Sequence, residues 1–333
     1  MNVLYSFIIP VYNRPEEIDE LLASLLHQNF NKPFEIVIVE DGSSKASKSI
    51  VKNYESKLNI SYYFKENSGP GDSRNYGMKR AKGNYFLILD SDCILPQHYL
   101  KEVDTALNEQ YVDCFGGPDA AHESFTNLQK AINYTMTSFI TTGGIRGGKK
   151  SVDKFQPRSF NMGLSKNAFE ATGGFGKIHP GEDPDLTIRL WKLGFNTMLI
   201  PKAFVYHKRR ISWKKFYQQV LKFGKCRPIL NHWHPETKKI TYWFPTLFVL
   251  FFLASIITAI AGVYIFSVFL LGYIVSVFVH SSLSNRSISI GFQSVIALFI
   301  QFFGYGIGFF LATMKVNWRK QQPEKAFPRL FFK

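Results

Sequence analysis

The sequence predicts an α/β fold, in which helices cover both faces of a mostly parallel sheet, followed by C-terminal transmembrane helices. In the first ninety residues, short apolar runs alternate with helical patterns, as in right-handed β-α-β crossovers. Beyond residue 243, the chain is almost free of charged residues as far as residue 314. A long uncharged region of this kind is typical of helices that cross a bilayer. The two parts therefore differ in physical character.

Four short apolar runs predict buried strands, at residues 4–9, 34–39, 60–64 and 85–89. We expect a helix after the first strand, with Asn13 as its N-cap and Pro15 in its first turn. A weaker helical pattern ends near residue 55, and a further helix is predicted over 70–82. Ligands of parallel sheets bind beyond the carboxyl ends of the strands, where this chain carries polar and acidic residues.

Composition and charge predict four regions. We divide the chain into an α/β domain over 1–210, a basic amphipathic interface segment over 211–242, a membrane region over 243–314 and a basic tail over 315–333. The formal net charge is +15, and much of it lies just before the apolar region. Cationic flanks beside apolar spans normally remain in the cytoplasm and favour anionic lipid headgroups. The charge therefore indicates a lipid bilayer as partner, and we expect no nucleic acid.

The membrane region divides into about three apolar spans, at 243–262, 263–283 and 290–314. Three crossings would place the C-terminal tail on the side of the membrane opposite the α/β domain. The tail is basic, however, and basic segments favour the cytoplasmic side. One of the three segments can instead be re-entrant or interfacial, and the sequence leaves both alternatives open.

Two acids, Asp90 and Asp92, follow the apolar run at 85–89. Positions i and i+2 of an extended chain point to the same side, so both carboxylates can face one site. Two like charges repel one another unless a cation lies between them. Oxygen ligands suit Mg²⁺ or Mn²⁺, which commonly also hold substrate phosphates. The pair therefore predicts a divalent metal site for a phosphate-bearing ligand.

Several short motifs occur in a fixed order along the chain. They are Pro10-Val11-Tyr12-Asn13, Val39-Glu40-Asp41-Gly42-Ser43-Ser44, Asn67-Ser68-Gly69-Pro70-Gly71-Asp72-Ser73-Arg74-Asn75-Tyr76-Gly77, Asp90-Ser91-Asp92, Asn161-Met162-Gly163 with Gly173-Gly174-Phe175, and Gly181-Glu182-Asp183. In this order they resemble the family 2 glycosyltransferases, which are inverting nucleotide-sugar enzymes of the GT-A fold, in their membrane-anchored bacterial type. The resemblance covers roughly residues 3–225 and implies a Rossmann-like GT-A domain.

The resemblance also implies roles on the donor side of the site. Asp92 is the expected direct metal ligand, and His207 resembles the late histidine that completes the metal site in many relatives. Asp90 is expected to hold the ribose or a metal-bound water, and Arg74 the phosphates. Asp41 resembles the acid that binds the nucleotide base, which favours a UDP-sugar. The complete set of expected donor-binding residues is Pro10, Tyr12, Asn13, Asp41, Ser43, Gly69, Arg74, Asp90 and Ser91.

On the acceptor side, the resemblance implies that Asp183 is the general base, which removes the proton of an acceptor hydroxyl. Asn161, Met162 and Glu182 are expected on the same side. A local interpretation stands beside this one. Asp183 precedes Pro184 at the start of a helical pattern and is well placed to be a helix N-cap. The two interpretations are compatible, because a cap would also fix the carboxylate.

We therefore expect a glycosyltransferase that moves one sugar to a lipid-linked or cell-surface glycan precursor, at the cytosolic face of the cytoplasmic membrane. A processive polysaccharide synthase is an alternative, although Gln218-Gln219 and Arg227 match the motif of such enzymes only faintly. A non-catalytic membrane scaffold that kept the fold is a second alternative. A nucleotidyltransferase would need a glycine- and lysine-rich phosphate loop, which Pro10-Val11-Tyr12-Asn13 is not. A transporter is disfavoured because the spans carry scarcely any charge.

Overall fold

The computed structural model describes residues 3–120, 125–143, 155–207 and 212–332, and these residues form two compact units. The first unit contains the described residues up to 120, those of 155–207, and Phe331 and Phe332 at the chain end. The second unit contains the residues of 125–143 and 212–330. The division expected at residue 210 differs in two places, because 125–143 joins the second unit and the chain end joins the first. Ile211, where the interface segment was expected to begin, lies outside the described residues.

The strands and helices follow one another in α/β order through the first unit. The strands are β1 (Tyr5–Val11), β2 (Glu35–Asp41), β3 (Ile60–Lys65), β4 (Tyr85–Leu89), β5 (Cys93–Ile94), β6 (Cys114–Gly116), β7 (Asp119–Ala120), β8 (Asn161–Ser165), β9 (Thr197–Leu199) and β10 (Val205–His207). The helices of this unit are α1 (Pro15–Leu26), α2 (Lys48–Lys52), α3 (Pro70–Met78), α4 (Tyr99–Glu109), α7 (Lys166–Thr172) and α8 (Glu182–Lys192). The four strands predicted from apolar runs are β1 to β4, and these predictions are confirmed.

The central sheet has the strand order β3-β2-β1-β4-β8-β6-β9 among the described residues. Strands β3, β2, β1 and β4 pair in parallel, β8 runs antiparallel to β4 and β6, and β6 pairs in parallel with β9. The predicted mostly parallel sheet is therefore confirmed. A small second sheet, β5-β10-β7, lies at the carboxyl end of β4 and pairs His207 with Cys93.

The core of the first unit lies on both faces of the central sheet. Along β1, Phe7 and Ile9 belong to one apolar cluster, whereas Ile8 belongs to the cluster on the other face. The same alternation holds along β4, where Leu87 faces one cluster and Ile88 the other. Successive side chains of a strand point to opposite faces, so a strand covered on both sides is apolar throughout. This packing leaves the carboxyl ends of the strands for polar residues.

The second unit is helical within the described residues. It contains α5 (Asn127–Thr137), α6 (Phe139–Thr142), α9 (Trp213–Trp233), α10 (Phe244–Ile260), α11 (Ile265–Asn285), α12 (Ile288–Ala312) and α13 (Pro323–Ala326), with a π-helical turn at Thr313–Trp318. Three of its segments are long and apolar enough to cross a membrane: Ile240–Ile260, Ile265–Asn285 and Ile288–Trp318. The three predicted apolar spans are therefore confirmed as helices, with boundaries shifted by a few residues.

Candidate active site

The loop after β1 carries Tyr12 and Asn13 at the carboxyl edge of the sheet. Asn13 was expected to cap α1, and this prediction is wrong: the residue that precedes the helix is Arg14, and Asn13 has a φ of 54°. The Asn13 side-chain oxygen instead accepts from the backbone N–H of Lys45 at 2.9 Å, and the Asn13 backbone N–H donates to Ser43 Oγ at 2.7 Å. The loop is thus fixed to the neighbouring turn after β2, while Tyr12 stays 53% exposed.

Asp41 ends β2 and lies almost fully buried, with 3% of its surface exposed. Its carboxylate accepts from Lys65 Nζ at 2.7 Å and from the backbone N–H groups of Ser68 at 3.0 Å and Gly69 at 2.9 Å. Charge-assisted bonds of this kind are roughly twice as strong as neutral ones. The acid expected to bind the base of the donor therefore also fixes the loop that leads into α3.

Glu40, next to Asp41, is fully buried and binds residues of the turn that follows β2. Its carboxylate accepts from the hydroxyls of Ser43 and Ser47, from the Ser47 N–H at 2.9 Å and from Tyr62 OH at 3.0 Å. A buried carboxylate is costly unless donors surround it, and these four contacts meet that need. Ser43, expected at the donor, thus connects Glu40 to the Asn13 loop.

Asp92 lies in the turn between β4 and β5 and contacts the side chains of Arg14 and His207. Its Oδ2 is 2.5 Å from Arg14 Nη1, and its Oδ1 is 3.2 Å from His207 Nε2. The pairing of β5 with β10 explains the second contact, because it brings position 207 opposite position 93. The His207 ring also stacks on Phe160, with ring centroids 4.9 Å apart. Asp92 and His207, the two expected metal ligands, therefore meet in the structure.

The donor set around Asp92 fits a divalent ion. Two ligands at right angles on an octahedral ion, each about 2.1 Å from it, are about 3 Å apart, and the Asp92 and His207 atoms are 3.2 Å apart. His207 Nδ1 is buried without a hydrogen-bond partner among the described residues, so no hydrogen bond there fixes its tautomer. Cys93 Sγ lies within 4.8 Å of these atoms, but burial raises the pKa of its thiol well above the ordinary value.

Arg74 connects the turn that carries Asp90 to the start of helix α8. Its Nη2 donates to Asp90 Oδ1 at 2.7 Å, and its Nη1 donates to Glu182 Oε1 at 3.1 Å. The residue is only 2% exposed, so both carboxylates compensate a buried guanidinium. The expected contact of Arg74 with donor phosphates stays a prediction, since in this structure both Nη atoms already bind carboxylates.

Glu182 is the buried acid of this bridge, and its ionisation is strongly favoured. Burial raises the pKa of its carboxyl, but His179 and Arg74 outweigh that effect and lower the pKa to about 2. His179 Nδ1 is 2.9 Å from Glu182 Oε1. A carboxyl with so low a pKa stays ionised at neutral pH and keeps Arg74 paired. Glu182, expected as an acceptor-side residue, is thus also the internal counter-ion that orders the start of α8.

Asp183 follows Glu182 in the first turn of α8. The local prediction that it caps the helix is wrong, because Gly181 precedes the helix with a φ of 122° and Asp183 already lies within it. Its Oδ2 is 3.7 Å from Arg158 Nη1, and its side chain is 16% exposed. An acid in the first turn of a helix faces the positive end of the helix dipole. Asp183 therefore lies at a helix start, partly exposed and close to a cation.

Several of the other expected site residues are buried. Pro10, Ser91 and Met162 are buried, and Asn161 has no exposed surface. The Asn161 amide donates to the Ala203 carbonyl at 2.8 Å and accepts from Tyr99 OH at 2.7 Å. In this conformation Asn161 and Met162 are buried in the sheet as part of β8. Their expected contact with an acceptor stays a prediction.

The sequence predicted no role for five charged or aromatic residues of this region: Arg14, Glu40, Lys65, Arg158 and His179. Glu40 lies within the motif that begins at Val39, and Arg14 directly follows the motif that ends at Asn13, so motif position could have suggested both. Lys65, Arg158 and His179 reach the site from outside the motifs, and only the folded chain brings them to it.

A family model described as Glycosyl transferase family 2 matches residues 6–171. The poly(ribitol-phosphate) beta-N-acetylglucosaminyltransferase TarS of Staphylococcus aureus (strain Mu50) is 38% identical over 112 residues, which are 33% of this chain and 20% of TarS. The chondroitin synthase of Pasteurella multocida (strain Pm70) is 38% identical over 239 residues, which are 62% of this chain and 25% of the synthase. The chain thus spans a quarter or less of the length of these two relatives.

Among solved structures, the mannosyltransferase PcManGT of Pyrobaculum calidifontis, in complex with GDP-Man and Mn²⁺, superposes with a TM-score of 0.59 at 14% identity. The match covers 96% of this chain and 89% of that one, and it supports the fold. The mostly parallel sheet, with Asp-x-Asp after its fourth strand, has the GT-A fold. With the family-model match and the relatives, the chain belongs to glycosyltransferase family 2.

Proposed function

We propose that this chain is a metal-dependent, inverting glycosyltransferase that moves a single sugar from a nucleotide diphosphate-sugar to a hydroxyl acceptor. The observation that carries the proposal is the Arg74 bridge. It binds Asp90, two residues before Asp92, and Glu182, one residue before Asp183. This bridge supports the proposal, because a single displacement requires the segment with the proposed metal ligand and the segment with the proposed base to lie close together.

Asp92 and His207 are the residues that would hold the divalent ion. A bound Mg²⁺ or Mn²⁺ would neutralise the charge that develops on the diphosphate leaving group. Tyr12 is exposed at the same edge and is proposed to lie along the base or ribose of the donor. Asp41 is proposed to bind the nucleotide base of the donor, with a preference for UDP-sugars over GDP-sugars. Its buried carboxylate also orders Ser68 and Gly69, so it shapes the donor loop through the protein backbone.

Asp183 is the proposed general base. Its carboxylate takes the proton of the acceptor hydroxyl while that oxygen bonds to the anomeric carbon, and the bond from that carbon to the diphosphate breaks. One displacement from the opposite face inverts the anomeric configuration. Arg158 Nη1 lies 3.7 Å from the Asp183 carboxylate. A carboxylate positioned as a general base typically contributes about 10²- to 10⁴-fold to a rate.

The proposed acceptor is a lipid-linked or cell-surface glycan precursor, and the proposed site of action is the cytosolic face of the cytoplasmic membrane. Three apolar helices supply the membrane association, and the exposed lysines of α9 supply charge for anionic headgroups. Transfer of one sugar and processive synthesis make different products. A single added residue on a defined acceptor supports the proposal, whereas a ladder of growing products favours the polymerising alternative.

The experiment is a panel of UDP- and GDP-sugars, with the full-length protein in lipid and with Mn²⁺ or Mg²⁺, scored for release of nucleoside diphosphate. We expect release from one donor, and Asp183→Asn should lower turnover at least about 10²-fold. Asp185→Asn is the matched control, because Asp185 lies in the same helical turn but pairs with Arg189 at 2.9 Å. Near-normal turnover by Asp183→Asn, or equal losses in both variants, would refute the assigned base.

A further inference from the structure

The last residues of the chain form part of the first unit, next to the proposed donor site. Phe331 makes an antiparallel bridge with Ile178, and the Phe332 N–H donates to the Lys177 carbonyl at 3.1 Å. The Phe332 ring lies 6.0 Å from the His179 ring, centroid to centroid. It also covers Gly69, where an added Cβ would overlap the ring. The chain end is thus attached by backbone and ring contacts.

Phe332 contacts the two loops that carry the proposed donor and base sides. Gly69 donates its N–H to Asp41 at 2.9 Å, so the ring packs one residue from the buried acid of the donor loop. His179 contacts Glu182 at 2.9 Å, and Glu182 directly precedes Asp183. The ring also lines a cavity of about 160 Å³ between these two loops. One aromatic side chain therefore restrains both loops, although it comes from beyond the membrane region.

We propose that Phe332 is a positioning residue of the donor site. Because Phe331 and Phe332 belong to the first unit, we also propose that the chain end lies on the same side of the membrane as that unit. The role of Phe332 in donor binding rests on the proposed function, whereas the side of the membrane follows from the chain path alone. Between the first unit and Phe331 the chain passes through three apolar helices. An odd number of crossings would place Phe331 on the far side, so the number of full crossings is even.

The non-crossing helix is α12. In an 18-residue apolar stretch of this helix, 44% is buried within the protein, whereas 17% is buried in the corresponding stretch of each of the other two spans. A Cβ on Gly308 would overlap the Leu221 carbonyl of α9, and one on Gly304 would lie 2.5 Å from a Val220 methyl group. Helix α12 therefore packs with its backbone against α9, over small residues that allow close approach.

Helix α9 is unsuited to hydrocarbon. It exposes Lys214, Lys215 and Lys222, and charged side chains facing lipid are costly. A helix packed closely along α9 therefore lies with it at the membrane boundary. Helices α10 and α11 are less buried than α12, and they span about 25 Å and about 31 Å at a rise of 1.5 Å per residue, close to the hydrocarbon thickness. They form the crossing hairpin, and the residues 261–264 between them lie on the far side.

Cysteine labelling with a membrane-impermeant maleimide tests the topology in inverted and right-side-out vesicles that contain the full chain. Cys93, Cys114 and Cys226 are buried, so background labelling is low. Lys57→Cys reports the side of the first unit, Val263→Cys the connection between α10 and α11, and Gln321→Cys the chain after α12. We expect Gln321→Cys to label with Lys57→Cys, and Val263→Cys to label from the opposite side.

Labelling of Gln321→Cys only from the side opposite Lys57→Cys would overturn the even number of crossings. Labelling of Val263→Cys from the side of Lys57→Cys would overturn the hairpin. Neither readout depends on catalysis, so a topological failure is distinguishable from a failure of the proposed function.

The positioning role has its own test, in the same vesicles. Phe332→Ala should raise the KM for the donor sugar nucleotide about tenfold with a smaller change in kcat, and Phe332→Tyr should restore it. An unchanged or lower KM for Phe332→Ala would overturn the positioning role.

Discussion

The two acidic turns at the edge of the sheet differ in how their carboxylates are compensated. Asp41 is bound by Lys65, whose side chain is 12% exposed, and by two backbone N–H groups of the following loop. Asp92 is bound by the side chains of Arg14, which is 32% exposed, and His207. Backbone donors cannot leave without unfolding their loop, whereas side-chain donors can rotate away. The first turn is therefore a fixed support, and the second is the one at which we propose that a metal ion displaces a protein cation.

The largest effect is expected at Asp92. Asp92→Asn should abolish Mn²⁺ binding and lower turnover about 10³-fold, because charge stabilisation by a bound metal supplies several kcal/mol. Stability should change by less than about 1 kcal/mol, since Arg14 is partly exposed and can be solvated. Turnover and calorimetric Mn²⁺ titration measure the first effect, and thermal unfolding measures the second. Mn²⁺ binding of unchanged strength in this variant would contradict the metal site.

Asp41→Asn should act mainly on stability. Removing this charge leaves Lys65 paired less well in a buried position, which we expect to cost about 3 kcal/mol of unfolding free energy. Asp72→Asn is the matched control, because Asp72 lies 3.3 Å from the same Lys65 nitrogen but is 60% exposed. That control should cost no more than about 0.5 kcal/mol. Denaturant unfolding of both variants measures the difference, and equal losses would show that the Asp41 turn is not the fixed support.

Arg14→Gln should have the smallest effect, and it should be a gain. Arg14 contacts Oδ2 of the same carboxylate whose Oδ1 faces His207, so without donor Arg14 and a metal ion compete for the charge of Asp92. The variant should therefore bind Mn²⁺ about five- to tenfold more tightly in the absence of sugar nucleotide. Lys32→Gln, which removes a surface cation paired with Asp104, should leave the Mn²⁺ affinity unchanged. Weaker Mn²⁺ binding by Arg14→Gln would contradict this competition.

The strands and the acids at their carboxyl ends could be predicted from local pattern. Apolar runs mark strands that are covered on both faces, and β1 to β4 lie where such runs predicted them. The two predicted helix caps, Asn13 and Asp183, are wrong. In both places a neighbouring residue precedes the helix, and the predicted side chain serves a loop or the site instead. Capping preference is a local tendency, and contacts from distant segments outweigh it here.

Contacts that join distant segments could not be predicted. The motifs contain Arg74, Asp90 and Glu182, but nothing in the spacing says that one guanidinium binds both acids across 108 residues of chain. Phe332 is more distant still, because its ring covers a glycine 263 positions earlier. A tail of mixed basic and aromatic residues gives no local sign that one of its side chains packs beside the donor loop.

By itself, the sequence determined the parallel sheet, the acid-bearing strand ends and the three apolar helices, because hydrophobic periodicity and length act within a few residues of chain. The tertiary structure alone decided which cation faces each carboxylate, and where the chain end lies. Those outcomes depend on desolvated charges and close packing between segments far apart in sequence, and such interactions exist only once the fold has brought the partners together.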